Sequence, residues 1–239
     1  MAATLVLPGD KIPPSALPTG TGKRKTLKLG PGLRHIAPNT IATTIAGALT
    51  TDDRKNAASI DFNTGRYRPY PHDLVIATIT SSTSDAFACT LSPHTPPATL
   101  PHLAFEGASK KSRPQLAPHA LVYCRVVAAS RDAPPELTCV DAATGKAAGL
   151  GVLKGGMVFS VSLGMARRLL APRSEMALLE GLGASMGFEV TVGRNGVVHV
   201  DAGSVRATMA VGRGLQEVDE RGVDDAGQRN MVGEILKSI

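Results

Sequence analysis

The chain of 239 residues is 43% hydrophobic and 19% charged, which excludes a wholly disordered polymer and allows one large domain or two or three small ones. Its 25 glycines and 17 prolines predict frequent turns and favour short strands over long helices. The excess of 26 basic over 20 acidic residues, a net +6, suits a partner made of phosphates or acidic protein. That excess is uneven: 8 basic and 4 acidic residues fall in 1–65, 8 and 6 in 66–149, and 10 and 10 in 150–239.

Residues 1–65 read as a small N-terminal β domain. The runs TLVLPGD, TLKLGPGLRH and TIATTIAGALT are β-prone and are broken by Pro-Gly, Gly-Pro-Gly and the charged DDRKN, which is turn chemistry. The region looks too small for an independent core. Residues 11–25, KIPPSALPTGTGKRK, read as an exposed, solvated connector.

Residues 66–149 change to the pattern of a compact β barrel. DLVIATITSS, DAFACTLS, TLPHLAFEG, HALVYCRVVAAS and ELTCVDAAT make five short strands, as in an OB barrel, although five strands alone also fit an SH3-like barrel. The polar SPHTPPATLP and the basic GASKKSRPQLAP occupy the places where such a barrel keeps its binding loops. Residues 150–239 read as strand, helix, helix, strand, strand and then one or two helices, the order of a KH domain. Asn195-Gly196 between the two alternating strands predicts a type I′ hairpin turn.

Three candidate sites follow. Lys110, Lys111 and Arg113, just ahead of Pro114, place three cations in an expected barrel loop, where they suit a nucleic-acid backbone. Their bland alternative is an ordinary solvated charge run. Gly193-Arg194-Asn195-Gly196 resembles the GxxG clamp of KH domains, but it joins two strands. The segment between the two helices, Ala171-Pro172-Arg173-Ser174, holds no glycine that would let a phosphate chain approach. Gly193 to Gly196 therefore read as turn and packing residues in a KH fold without the usual grip. Arg167-Arg168 at a helix end fit the dipole and exposure. Aromatic support for base stacking is thin: Phe87 and Phe105 read as core, while Tyr67 and Tyr70 read as exposable beside Arg66 and Arg68.

Catalytic constellations are missing from the sequence, which predicts no enzyme, no metal site and no cofactor. His35, His72, His94, His102, His119 and His199 are scattered, and Asp52-Asp53 and Asp224-Asp225 sit in polar turns. Cys89, Cys124 and Cys139 are odd in number and embedded in apolar runs, so a disulfide framework and a CxxC metal site are both unsupported and a reducing compartment is expected. No stretch reaches the length of a membrane span, and the N-terminus lacks signal-peptide order; a soluble intracellular protein is expected.

The stretches LPGD (7–10), KLGPGL (28–33), RYRPYPHDLVI (66–76), SKKSRPQL (109–116), LVYCRV (121–126), TG (144–145), GLGVLKGGM (149–157), VSLGMARRLL (161–170) and FEVTVGRNGVVHVDA (188–202) together resemble one family, the ribosomal RNA-processing protein 40 cap subunits of the eukaryotic RNA exosome. The resemblance implies an N-terminal β domain, an S1-type OB domain and a KH domain. It further implies a non-catalytic subunit that binds RNA, RNase PH-like ring subunits and the other cap subunits, and guides RNA to an associated 3′–5′ exoribonuclease. Nucleus, nucleolus and cytoplasm are the implied locations. On the same resemblance, Lys110, Lys111 and Arg113 face the entry pore and contact RNA. The GxNG motif at Gly193, Arg194, Asn195 and Gly196 packs against the OB domain, and His199 stands where the family commonly has Trp. A free-standing monomeric RNA-binding processing or translation factor is the alternative; it requires a usable KH clamp and exposed stacking aromatics. A nuclease is a third reading, with little in the sequence to favour it.

Overall fold

The structure, a computed structural model, describes residues 4–18, 26–63, 65–93, 95–130, 132–171 and 176–238. The basic end of the 11–25 connector, His94, and residues 172–174 between the KH helices lie outside the described residues. The chain divides into two compact units, Met1–Thr64 and Gly65–Ile239.

Among the described residues the first unit holds seven strands: β1 (Thr4–Val6), β2 (Lys11–Ile12), β3 (Lys28–Leu29), β4 (Leu33–Ile36), β5 (Thr40–Thr43), β6 (Gly47–Asp52) and β7 (Ala57–Asp61). They form one sheet in the order β1-β6-β7-β3 and a second in the order β2-β5-β4. The Leu7–Asp10 turn explains how strands this short hold together. Asp10 accepts the Leu7 N–H at 2.8 Å, Gly9 takes a left-handed φ of +95°, and the Gly9 N–H donates to the Thr43 carbonyl at 2.9 Å. Among the described residues of this unit the buried apolar ones are Val6, Ile12, Ala42, Ala58 and Ile60, a small set, so turn chemistry carries much of its definition.

The second unit begins with a closed barrel of β8 (Leu74–Ser82), β9 (Ala86–Thr90), β10 (Ala98–Pro101), β11 (Leu121–Ala128) and β12 (Glu136–Thr138), with β13 (Gly151–Leu153) added beside β11. Antiparallel ladders run β10-β9-β8-β11-β12, and the parallel pair Thr99↔Glu136 closes the ring. This is the five-stranded OB architecture. Period-two alternation turns Val75, Ala77, Ile79, Phe87, Cys89, Leu100, Val122, Cys124, Val126 and Leu137 into one buried cluster. A register shift between Ile79 and Ser81 lets β8 bend around the barrel.

All three cysteines are free and buried in this unit. Burial pushes the thiols of Cys89 and Cys139 up to about 12 and that of Cys124 up in the same direction. A thiol whose native pKa is raised keeps its proton where the unfolded chain has lost it, so these groups favour the native state below about pH 9 and that contribution fades as pH rises toward 12. The denaturation midpoint should therefore fall between pH 8.5 and 11, and iodoacetamide should label the native thiols far more slowly than those of the unfolded chain. Rapid native labelling at mildly alkaline pH would contradict this placement.

The KH part comprises β14 (Met157–Ser160), α1 (Leu163–Leu169), α2 (Ala177–Gly183), β15 (Glu189–Gly193), β16 (Val197–Asp201), α3 (Val205–Arg221) and α4 (Asp225–Ser238). Its antiparallel sheet runs β14-β16-β15. Ser162 caps the start of α1, its hydroxyl accepting the Met165 N–H at 3.0 Å, while Asp219 on α3 receives both the N–H and the O–H of Ser162. Phe159, Leu178, Leu182, Val198, Val200, Val211 and Leu215 pack into one core. The C-terminal region is two helices because Gly222 turns left-handed at φ +61° after α3, and Asp224 then receives the Gly227 N–H at 3.0 Å. His199 is buried on β16 with Nε2 2.9 Å from the Gly155 carbonyl oxygen. Among the described residues no helix is long and apolar enough to cross a membrane.

Candidate nucleic-acid interface

The connection from β10 to β11, residues 102–120, carries the basic segment. Its start is anchored: the His102 ring lies edge-on to Phe87 with centroids 4.2 Å apart, and Nε2 sits 3.0 Å from the Thr83 carbonyl oxygen. Phe105 and, further along, Leu116 pack against the barrel core. Between these anchors the backbone reverses at Ser109–Ser112, where the two N–H groups each donate to the other residue's carbonyl at 3.2 and 3.1 Å. The Ser112 N–H also reaches Ser109 Oγ at 3.1 Å.

This turn puts Lys110 and Lys111 at its tip, both exposed, and neither forms an ion pair with a described residue. Arg113 is also exposed, but Nη1 donates to the Ser84 carbonyl at 2.6 Å, which ties the loop to the β8–β9 turn. The nearby Glu106 carboxylate accepts the Ala147 N–H at 2.8 Å. The result is a protruding cationic rim on a braced loop, suited to phosphate contacts.

Among the described residues, the adjoining outer face formed by β9 and β10 carries no aromatic side chain on which a base could stack. Ala86, Ala88 and Thr90 on β9, with Thr99 on β10, alternate with the buried Phe87, Cys89 and Leu100. Small side chains there cannot stack bases, and the cations of the rim are what this side offers to a phosphate backbone.

Gly193 to Gly196 lie elsewhere. Ile76, which they touch, and Ser82, beside the rim, are six residues apart along β8, or about 20 Å at strand rise; the structure does not bring the two clusters together. Asn195 is buried and takes both polar groups of Ile76: Oδ1 accepts the Ile76 N–H at 3.3 Å and Nδ2 donates to the Ile76 carbonyl at 2.9 Å. Nδ2 also donates to the Leu91 carbonyl. The Arg194 N–H donates to the Leu74 carbonyl at 2.7 Å.

The turn itself departs from the type I′ expectation. Gly193 pairs with Val197, leaving a three-residue loop closed by the Gly196 N–H donating to the Gly193 carbonyl at 3.1 Å. Of the loop residues only Gly196 has a positive φ, +78°, the pattern of a type I turn followed by a left-handed glycine. Asn195 stays right-handed because its side chain is held by the barrel.

A buried carboxylate that sequence reasoning missed supports this contact. Asp73 accepts the Tyr67 hydroxyl at 2.9 Å and the Tyr70 N–H at 3.2 Å, and Arg194 Nε lies 3.2 Å from its other oxygen. Of the two tyrosines read as exposable beside the arginines, Tyr67 is buried, 5% exposed, and Tyr70 is open, 72% exposed. Burial beside the Asp73 carboxylate pushes the Tyr67 phenol well up, so it serves as a donor. The signal available was the Arg66-Tyr67-Arg68 alternation: in an extended segment the residue between two exposed ones points inward.

At the other pole of the barrel, residues 66–69, 95–96, 129–130 and 132–135 border a cleft of about 970 Å³ that includes Arg66, Arg68 and Asp132. The polar SPHTPPATLP segment, read as a binding loop, supplies Thr95 and Pro96 to this wall. Arg167 and Arg168 sit in the last turn of α1. Among the described residues no group of three or more His, Cys, Asp or Glu is placed to hold a metal ion.

Three family descriptions match the chain: the S1 domain of exosome complex component RRP40 at residues 67–151, the N-terminal domain of exosome complex exonuclease Rrp40 at 27–66, and a KH domain at 156–206. Curated relatives include exosome complex component rrp40 of Schizosaccharomyces pombe, 40% identical over 85% of this chain and 83% of that protein. RRP40 of Saccharomyces cerevisiae is 34% identical over 99% of this chain and 97% of that protein, and RRP40 of Homo sapiens 31% identical over 92% and 81%. A solved exosome complex RNA-binding protein aligns with a TM-score of 0.57 at 20% identity, covering 72% of this chain and 97% of its own; that likeness is one of fold.

Proposed function

The chain belongs to the RRP40 family of exosome complex components, and we propose that it is a non-catalytic cap subunit of the RNA exosome that guides RNA toward the central channel. Its partners on this reading are RNA, RNase PH-like ring subunits, the other cap subunits and an associated 3′–5′ exoribonuclease, in nucleus, nucleolus and cytoplasm. The observation that carries it is the exposed Lys110-Lys111 turn, braced by the Arg113 bond to Ser84. A rim of cations beside a smooth, small-residue strand face suits passage of RNA irrespective of sequence. Gly193 to Gly196 serve as the seat between KH hairpin and barrel, since Asn195 and the Arg194 N–H are bonded to β8 and to Leu91.

The test is the native size of the tagged chain in a gentle extract, with mass spectrometry of co-eluting proteins. Elution in a particle of several hundred kilodaltons with RNase PH-like subunits is expected. Elution near the chain's own 24.7 kDa without partners would contradict the reading in favour of a free-standing RNA-binding factor. The purified chain alone should leave end-labelled RNA uncut in the presence of Mg²⁺.

A further inference from the structure

We propose that Ser112 is a phosphorylation site that switches the cationic rim off; this rests on the reading of Lys110, Lys111 and Arg113 as RNA contacts. Ser112 lies in the exposed Ser109–Ser112 turn with two lysines before it and an arginine after it. A run of cations beside a hydroxyl suits a kinase with an acidic substrate groove. The turn that presents it is held locally, by the two Ser109–Ser112 backbone bonds and the bond from the Ser112 N–H to Ser109 Oγ. Hydrogen bonds at an exposed loop tip are individually weak, so the turn can open into a kinase groove without disturbing the anchors at His102 and Phe105. The Ser109 hydroxyl is an acceptor within the turn, whereas the Ser112 hydroxyl stands on the exposed side chain beside Arg113.

In the reaction the γ-phosphoryl group of ATP passes to Ser112 Oγ: an O–P bond forms, the bond from the γ-phosphorus to the ADP oxygen breaks, and the hydroxyl proton leaves to the kinase base. The product carries about −1.5 to −2 charges at pH 7. It sits beside three cations with which it forms charge-assisted hydrogen bonds within its own loop. RNA phosphates then compete with an internal phosphate, and the rim retains the equivalent of about one cation.

For single strands each phosphate contact contributes a log–log salt slope of about −0.7, or about fivefold in affinity at 0.1 M salt. Loss of two such contacts predicts RNA binding about 25-fold weaker at 0.1 M salt and a slope falling from about −2 to about −0.7. The experiment treats the full chain with the catalytic subunit of protein kinase A and ATP, maps the phosphate by mass spectrometry against Ser112→Ala, and titrates modified and unmodified protein with fluorescein-labelled oligouridylate over a salt series. Incorporation at Ser112 with the predicted loss is the expected result. No incorporation at Ser112, or a phosphorylated chain that binds like the parent, overturns the switch. A Lys110→Glu/Lys111→Glu/Arg113→Glu chain measured alongside separates the two ideas. If it binds like the parent, the rim reading itself fails; if it is weakened while the phosphorylated chain is not, only the switch fails.

Discussion

Replacing Gly193 with alanine is expected to destabilise the second unit by about 3 kcal/mol. A Cβ there would lie 2.3 Å from Asn195 Oδ1, 2.7 Å from the Ile76 nitrogen and 3.2 Å from the Val197 carbonyl oxygen. Two of these neighbours are backbone atoms and cannot swing aside, so the hairpin must retreat from β8. Retreat breaks the paired bonds between Asn195 and Ile76 and the bond from the Arg194 N–H to Leu74. It also pulls Arg194 from the buried Asp73 carboxylate, which then keeps only its bonds from Tyr67 and Tyr70. Overpacking alone costs about 1–3 kcal/mol, and buried polar groups left without partners add to it. Urea denaturation of the full chain, followed by amide exchange at Ile76, checks the result. A midpoint corresponding to a change within about 0.5 kcal/mol, with Ile76 still protected, would show that the seat is not where Asn195 is placed.

Charge reversal of the rim should leave folding intact and remove most RNA affinity. With three contacts at about fivefold each, Lys110→Glu/Lys111→Glu/Arg113→Glu loses about 100-fold at 0.1 M salt, before any repulsion by the new carboxylates is counted. The difference from the parent should shrink toward 1 M salt, because the lost term is counterion release. Arg113 also holds the loop against Ser84, so the variant changes loop position as well as charge. Lys110→Glu/Lys111→Glu keeps that brace and should still lose about 25-fold. Anisotropy titrations with oligouridylate over a salt series provide the readout, and both variants should share the parent's denaturation midpoint because these side chains are exposed. Parent-like affinity in the double variant would mean that the turn does not meet RNA.

Much of the architecture is legible in the sequence because it is written with short periods. The alternation through Val75, Ala77 and Ile79, and through Val122, Cys124 and Val126, marks barrel strands, and the strand and helix order after Gly155 marks the KH part. The position of the hairpin at Asn195-Gly196 is readable for the same reason; its type is not. Type I′ follows from local propensity, and the structure overrides it because Asn195 is held by Ile76, 119 residues away in sequence. No periodicity reports a pairing at that separation. The buried Asp73 was hidden in the same way: in the string Tyr-Pro-His-Asp it looks like a turn residue, and its carboxylate becomes structural only when Tyr67 and Arg194 converge on it. The cationic rim was visible as a charge cluster, but the brace to Ser84 and the Ser109–Ser112 turn that shape it depend on folding of the loop onto the β8–β9 turn.

The most direct test of these assignments is ultraviolet crosslinking of the assembled complex to single-stranded RNA, with mass-spectrometric mapping on this chain. Crosslinked peptides should come from residues 107–116, and the peptide spanning Gly193 to Gly196 should carry none. Crosslinks concentrated at Gly193–Gly196 with none at the Lys110-Lys111 turn would contradict both roles at once, making the KH hairpin the RNA grip and the basic turn an ordinary solvated loop.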